Sequence, residues 1–152
     1  MPVPAVGIVV REPFEQVYVR EFPSLVRLAM SLVDSEQIAE EVVQDAFARM
    51  YLRYQRVDDP VAYARVSVLN GARGVLRRRR LARRIPVVRH GVTELETNHV
   101  LDAVRSLPKR QSDVLLLRYD LQLTDTEIAA TLGIPLGTVK STLHRALARL
   151  RE

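Results

Sequence analysis

The stretch from Leu123 to Arg145 constrains the fold of this chain more than any other stretch. Thr124 and Glu127 have the spacing of a capping box, in which two side chains satisfy amide groups at the start of a helix. Gly133 stands where that helix has to stop, because a residue without a side chain adopts the left-handed conformation at low cost. Pro135 follows just past the stop, and a second helix begins after it. The pattern therefore predicts a helix-turn-helix.

The second helix of this motif has two faces of different chemistry. Its buried face is predicted to carry Val139, Leu143, Ala146, Leu147 and Leu150. Its exposed face is predicted to carry Thr138, Lys140, Ser141, Thr142, His144, Arg145 and Arg149. Cations mixed with short hydrogen-bonding side chains suit a helix that enters the major groove of DNA. An ordinary helical hairpin with a solvated basic face is the alternative interpretation.

The composition of the 152-residue chain favours a polyanionic partner and limits the available chemistry. The formal net charge is +5 at pH 7, which is typical of proteins that bind nucleic acid or another polyanion. The absence of Cys excludes disulfides, thiolate zinc sites and a thiol nucleophile, and it fits a reducing cytoplasm. Neither a signal peptide nor a run of transmembrane length is found. We therefore expect a cytoplasmic protein without membrane insertion.

Apolar residues at helical spacing predict two helices in the first half of the chain. Helix one is expected from Phe14 to Val33, with a kink or break at Pro23. Asp34 and Gln37 are the start signal of helix two. Helix two should turn these residues inward: Ile38, Val42, Ala46, Met50 and Tyr54. Its other side concentrates acids in a chain that is basic overall, with Glu36, Glu40, Glu41, Gln44 and Asp45.

A third helix is predicted from the dipeptide Asp59-Pro60, because Asp caps a helix start and Pro is pre-set for the first turn. The preceding residues, Arg53 to Asp59, are predicted to form a loop. The helix ends in a cationic run: Arg73, Arg77, Arg78, Arg79, Arg80, Arg83 and Arg84. Gly71 and Gly74 lie inside it, and each costs about 1 kcal/mol relative to Ala. Either the backbone must be bare at these glycines or the helix is weak there.

The helices fall into two groups, which predicts an all-α chain of two small helical domains joined by a short, flexible, basic linker. The first domain spans residues 14–84 after a tail of residues 1–13. The linker is placed at residues 85–94, where a proline and a glycine interrupt any period, and the second domain spans residues 95–152. Two further short helices before the helix-turn-helix are indicated by Thr93, Glu96, Leu101, Val104, Leu107 and Pro108.

Two segments resemble conserved regions of bacterial sigma factors of the extracytoplasmic-function type. The segment from Ile38 to Phe47 resembles the D-A-E-D-L-V-Q-E-A-F stretch of region two. The segment from Ser106 to Ala146 resembles region four, which starts with L-P-x-x-x-R/Q and contains a G-T-V-K-S-x-L-H-R-A recognition helix. Both segments occur in this order without a middle domain, so the chain resembles this group IV class of the sigma-70 family from about Phe14 to Arg151.

The resemblance implies a non-enzymatic factor that needs no cofactor and binds core RNA polymerase and promoter DNA. The residues that match positions docking on the beta-prime clamp helices are Glu40, Glu41, Gln44 and Asp45. An acidic face gains association rate and register from a basic partner, although a merely solvated face is the alternative. The beta flap is the second polymerase contact that the resemblance implies. Factors of this type are also often held by an anti-sigma protein, which covers the polymerase-binding and DNA-binding faces.

The resemblance also implies two DNA surfaces. The residues expected at the minus-10 element are Arg53, Arg56, Asp58, Tyr63, Asn70, Arg73, Arg77 and Arg78. Extruding a base from the duplex costs a few kcal/mol, which stacking and hydrogen bonds in a pocket must offset. The residues expected at the minus-35 element are Thr138, Lys140, Ser141, Thr142, His144, Arg145 and Arg149. Gly74 and Thr142 depart from the family, which commonly has Asp and Arg at these positions.

The function that follows is promoter-specific initiation of transcription together with core polymerase. A stand-alone helix-turn-helix regulator that acts without polymerase is the alternative, but it leaves the acidic face and the arginine run unexplained. An enzyme with an appended DNA module finds no support, since the sequence has neither a Gly-rich phosphate loop nor paired carboxylates with a His. His90, His99 and His144 lack the spacing of metal ligands, so no metal site is expected.

Overall fold

The computed structural model describes residues 11–82 and 99–152 of the chain. Within these two ranges the regular elements are the helices α1 (Phe14–Met30), α2 (Glu36–Arg53), α3 (Pro60–Ala82), α4 (His99–Ser106), α5 (Lys109–Tyr119), α6 (Asp125–Leu132) and α7 (Leu136–Arg151). The prediction of an all-helical chain is confirmed. Several predictions fall outside the described residues: most of the tail, the linker at 85–94, the capping box at Thr93 and Glu96, and the last two arginines of the cationic run.

Helix α1 contains Pro23 and is shorter than the sequence suggests. It runs unbroken through Pro23 and ends at Met30, so the predicted end at Val33 is wrong. Pro23 lies on the exposed side, where water can satisfy the carbonyl that the missing amide leaves without a partner. Leu32 and Val33 are still fully buried, because the apolar pattern continues through the turn that follows the helix.

The cap of α2 is Ser35, one residue later than predicted. Its hydroxyl accepts a hydrogen bond from the amide of Ile38 at 3.3 Å. The carboxylate of Asp34 instead accepts a hydrogen bond from Arg105. The buried face of α2 is also wider than the predicted stripe, because α1 and α3 both cover it. The residues buried on this helix are Ala39, Val42, Val43, Ala46, Phe47 and Met50, and Ile38 is only half-buried.

Helix α3 approaches α2 closely at Gly71. A Cβ atom on Gly71 would lie 3.1 Å from Val42 Cγ1, which is tighter than ordinary van der Waals contact. A Cβ atom on Gly74 would meet only a guanidinium of the same helix, at 3.4 Å. Of the two explanations for these glycines, the close approach of another helix therefore applies to Gly71, where a side chain would have to displace Val42 by a few tenths of an ångström. The predicted cap of α3 is confirmed, since Asp59 Oδ1 accepts from the amide of Ala62 at 3.0 Å.

The helix-turn-helix consists of α6 and α7. Thr124 Oγ1 accepts from the amide of Glu127 at 3.1 Å and caps α6. Gly133 ends α6 in the left-handed conformation, with φ 65° and ψ 37°. The amides of Gly133 and Ile134 both donate to the carbonyl of Ala129, so the end of the helix is closed by backbone hydrogen bonds. The Thr124 cap and the stop at Gly133 are thus confirmed.

The two groups of helices share one apolar core. Helix α3 packs against α1 and α2 on one side and against α6 on the other. Helix α7 in turn packs against α5 and α6. Buried side chains from both groups, such as Leu69 of α3 and Leu117 of α5, belong to the same hydrophobic cluster. The described parts of the chain therefore form a single packed body in this structure.

Candidate partner and nucleic-acid interfaces

The acidic face predicted on α2 is exposed. Glu41, Gln44 and Asp45 are exposed and Glu40 is half-buried. They share one side of the helix because residues three and four positions apart are neighbours on a helical surface. None of the three carboxylates takes part in an ion pair among the described residues. This face therefore presents uncompensated negative charge to a partner.

An aromatic groove lies beside the acidic face, and the sequence did not single it out. It is lined by Phe14, Tyr18, Gln44, Phe47, Ala48, Tyr51 and Leu52. Tyr51 and Leu52 are 62% and 78% exposed, and the ring centroids of Phe14 and Tyr51 are 5.0 Å apart in an edge-on arrangement. Because Gln44 belongs to both surfaces, a partner on the acidic face also meets this apolar groove. In the sequence, the three consecutive apolar residues Met50, Tyr51 and Leu52 could have indicated this groove, because one face of a helix cannot bury three consecutive residues.

The last residue of α2, Arg53, places a cation over an aromatic ring. Arg53, Arg56 and Asp58 are exposed, as a surface that contacts DNA requires. The guanidinium carbon of Arg53 lies 5.9 Å from the centroid of the Tyr63 ring. Tyr63 is half-buried and packs against the core. A guanidinium and an aromatic ring in this arrangement offer a flat surface on which a base can stack.

Further along α3, one of the predicted minus-10 residues is engaged inside the protein. Asn70, Arg77 and Arg78 are exposed. Arg73 is only 21% exposed and forms an ion pair with Asp113 of α5, whose side chain is 5% exposed. The two groups lie within ion-pair distance, but they are not aligned as a hydrogen bond, so the contact is electrostatic. Arg73 is therefore not presented to solvent together with the other predicted residues.

The exposed face of α7 is basic and differs from the prediction at one position. Thr142 is 4% exposed, so its placement on the exposed face was wrong. It lies three residues after Val139 and four before Ala146, both fully buried, and shares their side of the helix. The remaining predicted residues are exposed: Thr138, Lys140, Ser141, His144, Arg145 and Arg149. The hydroxyl of Ser141 donates to the carbonyl of Thr138 at 3.2 Å.

Arg118 ties the helix-turn-helix to the preceding helix, and sequence reasoning did not find it. Its Nη1 donates to the carbonyl of Leu123 at 3.2 Å and lies 3.4 Å from Asp125 Oδ1 in the first turn of α6. The turn between α5 and α6 is thereby held at the point where α6 begins. No group of metal-ligating side chains occurs in residues 11–82 and 99–152, and no helix there is long and apolar enough to cross a membrane.

Two protein-family models match the chain, and together they span the described helices. The model described as Sigma-70 region 2 matches residues 17–82, which contain most of α1 and all of α2 and α3. The model described as Sigma-70, region 4 matches residues 98–150, which contain α4 to α6 and all of α7 except its last residue. The boundaries of these matches agree with the two groups of helices to within three residues.

Similar proteins are found along nearly the whole chain. The RNA polymerase sigma-E factor of Streptomyces antibioticus is 37% identical over 149 residues, covering 91% of this chain and 83% of that protein. The sigma-E factor of Streptomyces coelicolor is 36% identical over 150 residues, covering 91% and 84%. The ECF RNA polymerase sigma factor SigL of Mycobacterium tuberculosis is 31% identical over 140 residues, covering 82% and 79%.

Solved structures show the same fold. The structure of CnrH in complex with the cytosolic domain of CnrY has a TM-score of 0.70 at 27% identity, covering 91% of this chain and 84% of that one. The sigma factor RpoE in complex with the anti-sigma factor NepR, from Bartonella quintana, has a TM-score of 0.65 at 23% identity, covering 91% and 94%.

Proposed function

Because this chain belongs to the sigma-70 family as a sigma factor of the extracytoplasmic-function type, we propose that its two groups of helices divide the work of promoter recognition. It is an RNA polymerase sigma factor, which directs promoter-specific initiation of transcription and is not an enzyme. Sigma factors bind core RNA polymerase. What is proposed is which residues of this chain carry each contact, and that the factor works in the cytoplasm.

In this proposal the acidic face of α2 docks on core polymerase. Glu41 and Asp45 are exposed and have no ion-pair partner among the described residues, so a basic surface gains from pairing with them. The clamp helices of the beta-prime subunit are the proposed basic surface, and the beta flap is the proposed contact of the second group. The adjacent aromatic groove adds apolar area at the edge of the charged face, which resembles a common arrangement of protein interfaces.

The proposed minus-10 surface is formed by the end of α2, the loop after it and α3. Arg53 and Tyr63 supply a cation and a ring that can stack on an extruded base. Asn70, Arg77 and Arg78 continue along the exposed side of α3 toward the DNA backbone, where affinity falls as salt rises. Arg73 joins them only when its contact with Asp113 is broken.

The proposed minus-35 surface is the exposed side of α7. Lys140 and Arg145 are exposed on the second helix of a capped helix-turn-helix, which is the helix that enters the major groove in such motifs. A bidentate contact from such a cation to guanine discriminates by about 1–3 kcal/mol. Thr142 is left out of this surface because it is buried. An anti-sigma protein is the further partner we propose, since the structurally similar sigma factor RpoE is found in complex with the anti-sigma factor NepR.

The observation that carries the proposal is that an unpaired acidic face on α2 and a basic face on α7 are exposed on the same chain. Two paired variants test it. Glu41→Lys with Asp45→Lys should weaken binding to core polymerase about tenfold or more, since two favourable charges become unfavourable ones. Lys140→Ala with Arg145→Ala should reduce transcription from a cognate promoter about tenfold or more while core binding is unchanged.

Each variant is the control for the other, and circular dichroism checks that both remain helical. Core affinity is measured by fluorescence anisotropy, and promoter use by run-off transcription. Unchanged core affinity in the first variant would refute the docking face. Loss of core binding in the second variant would refute the assignment of α7 to DNA.

A further inference from the structure

A short strap, residues 11–13, precedes α1 and is fastened to the end of α2. Two hydrogen bonds in opposite directions join the strap to Tyr54. Arg11 Nη1 donates to the carbonyl of Tyr54 at 2.5 Å, and the Tyr54 hydroxyl donates to the carbonyl of Glu12. The guanidinium carbon of Arg11 also lies 6.0 Å from the centroid of the Tyr54 ring. Because Tyr54 is a buried member of the core, the strap is held against the packed part of the protein.

The carbonyl of Tyr54 stands at the end of a helix, where it needs a donor from elsewhere. Helix α2 ends at Arg53, and the last carbonyls of a helix have no amide partner within that helix. A cation at this end is favourable for two reasons, because it donates a hydrogen bond and because it interacts with the negative end of the helix dipole. Arg11 supplies this cation from 43 positions away in the sequence. It therefore fixes the point at which the chain leaves α2.

This point is also the start of the loop that carries part of the proposed minus-10 surface. The loop begins at Tyr54 and ends where α3 begins. Inside it, the amides of Arg56 and Val57 both donate to the carbonyl of Arg53, at 2.9 and 3.1 Å. The far end of the loop is held by the cap of α3, which is local in sequence. The near end is held by Arg11, which is not.

The cation and the ring that can stack on a base stand at opposite ends of this loop. Arg53 is the last residue of α2, and Tyr63 lies in the first turn of α3. The 5.9 Å between the guanidinium carbon of Arg53 and the ring centroid of Tyr63 therefore depends on the path of the loop between them. Groups that bind a ligand together have to be held to within about 0.5 Å by supporting hydrogen bonds. The hydrogen bond from Arg11 is placed to give this support.

We propose that Arg11 is a positioning residue for the minus-10 surface. It anchors the start of the loop, so that Arg53 and Tyr63 keep the spacing at which an extruded base can stack on them. Arg11 is half-buried and its guanidinium is engaged by Tyr54, so it acts through the loop rather than on DNA. The effect on the minus-10 element rests on the proposed function, whereas the anchoring of the loop does not.

Arg11→Ala removes the anchor, and Arg20→Ala is the matched control. Arg20 is a neighbouring cation whose side chain is 50% exposed and which pairs with Glu12 of the strap and Glu21 of α1. An exposed ion pair of this kind contributes little to stability. Both substitutions remove one positive charge close to Glu12, but only the first removes the hydrogen bond to the end of α2. The pair therefore separates loss of the anchor from loss of charge.

Amide hydrogen exchange of the free factor, followed by nuclear magnetic resonance, tests the anchoring itself. The reporters are the amides of Arg56 and Val57, which lie inside the loop. Arg11→Ala should speed their exchange about threefold to tenfold, the size of one intramolecular hydrogen bond. Arg20→Ala should leave them unchanged, and neither substitution should change the exchange of the amides of α7. Equal exchange of the loop amides in Arg11→Ala and the parent would overturn the proposal.

The consequence for promoter recognition is measured as a ratio of rates. Run-off transcription with core polymerase is compared on a promoter that the factor uses and on the same promoter with its minus-10 element replaced. Arg11→Ala should lower the ratio of the two initial rates about threefold to tenfold, and Arg20→Ala should leave it unchanged. A substitution that only destabilises the fold lowers both rates by the same factor. An unchanged ratio in Arg11→Ala would therefore overturn the positioning role.

Salt dependence distinguishes positioning from a direct contact with DNA. Loss of a phosphate contact lowers the slope of log affinity against log salt concentration by about one unit, whereas loss of a positioning residue leaves the slope unchanged. A lower slope for promoter binding by core polymerase with Arg11→Ala would overturn the proposal. If the parent factor shows no preference for its minus-10 element, the proposed function fails, and the amide exchange still decides whether Arg11 anchors the loop.

Discussion

The end of α6 allows a prediction whose sign and size follow from the backbone alone. Gly133 has a φ of 65°, and no atom lies within 4 Å of the position its Cβ would take. Gly133→Ala therefore adds no steric clash with neighbours, but it places a Cβ in the left-handed conformation at a cost of about 1–2 kcal/mol. The smaller entropy of the unfolded alanine chain offsets about 0.5 kcal/mol of this cost. We expect the free energy of unfolding to fall by about 1 kcal/mol.

Urea denaturation monitored by circular dichroism measures this change, and the chain provides its own control. Gly137 also has free space around its Cβ position, but it lies within α7. Gly137→Ala should therefore leave the free energy of unfolding unchanged or raise it by up to about 1 kcal/mol. The two identical substitutions thus have different expected effects. Equal effects, or a Gly133→Ala variant as stable as the parent, would refute the argument that backbone conformation ends α6.

Two other substitutions probe packing and ionisation. Gly71→Ala places a Cβ against Val42 Cγ1 and should lower the free energy of unfolding by about 1–2 kcal/mol. In a Val42→Ala background most of that loss should vanish. A double-mutant cycle measured by urea denaturation detects the difference. Burial raises the pKa of the Asp120 carboxyl above its ordinary 3.8, while the Ser31 hydroxyl and Arg27 act in the opposite direction. The folded state therefore holds this proton more tightly than the unfolded state, and the corresponding stability is lost as pH rises through the raised pKa. Asp120→Asn should accordingly raise the thermal midpoint at about pH 7 and leave it unchanged near pH 3; an equal shift at both would contradict this.

Local signals made most of the fold predictable. The caps at Asp59 and Thr124 and the left-handed Gly133 depend on hydrogen bonds and dihedral angles within a few residues, and all three are confirmed. Ser35 and Asp34 are both good cap residues by type, so sequence alone could not rank them. The structure does so through a distant residue, because Asp34 pairs with Arg105 and leaves the cap to Ser35.

The residues of the candidate site were predicted correctly where their exposure follows from the helical repeat of apolar residues. They were missed where their exposure depends on how the helices pack against each other. The acidic face of α2 is exposed as expected, since it lies opposite a strongly apolar side. Thr142 was placed on the exposed face by its hydroxyl, although its spacing from Val139 and Ala146 puts it inside. The Arg73–Asp113 pair joins residues 40 positions apart, and no periodicity within one helix indicates such a contact.

The central claim is that this chain brings core polymerase to a particular set of promoters through α2 and α7. Run-off transcription with core RNA polymerase on a library of promoter sequences, with and without the chain, tests it most directly. We predict that adding the chain starts transcription from one family of sequences that share minus-10 and minus-35 elements, and that core polymerase alone does not use them. Start-site selection that is the same with and without the chain would contradict the account.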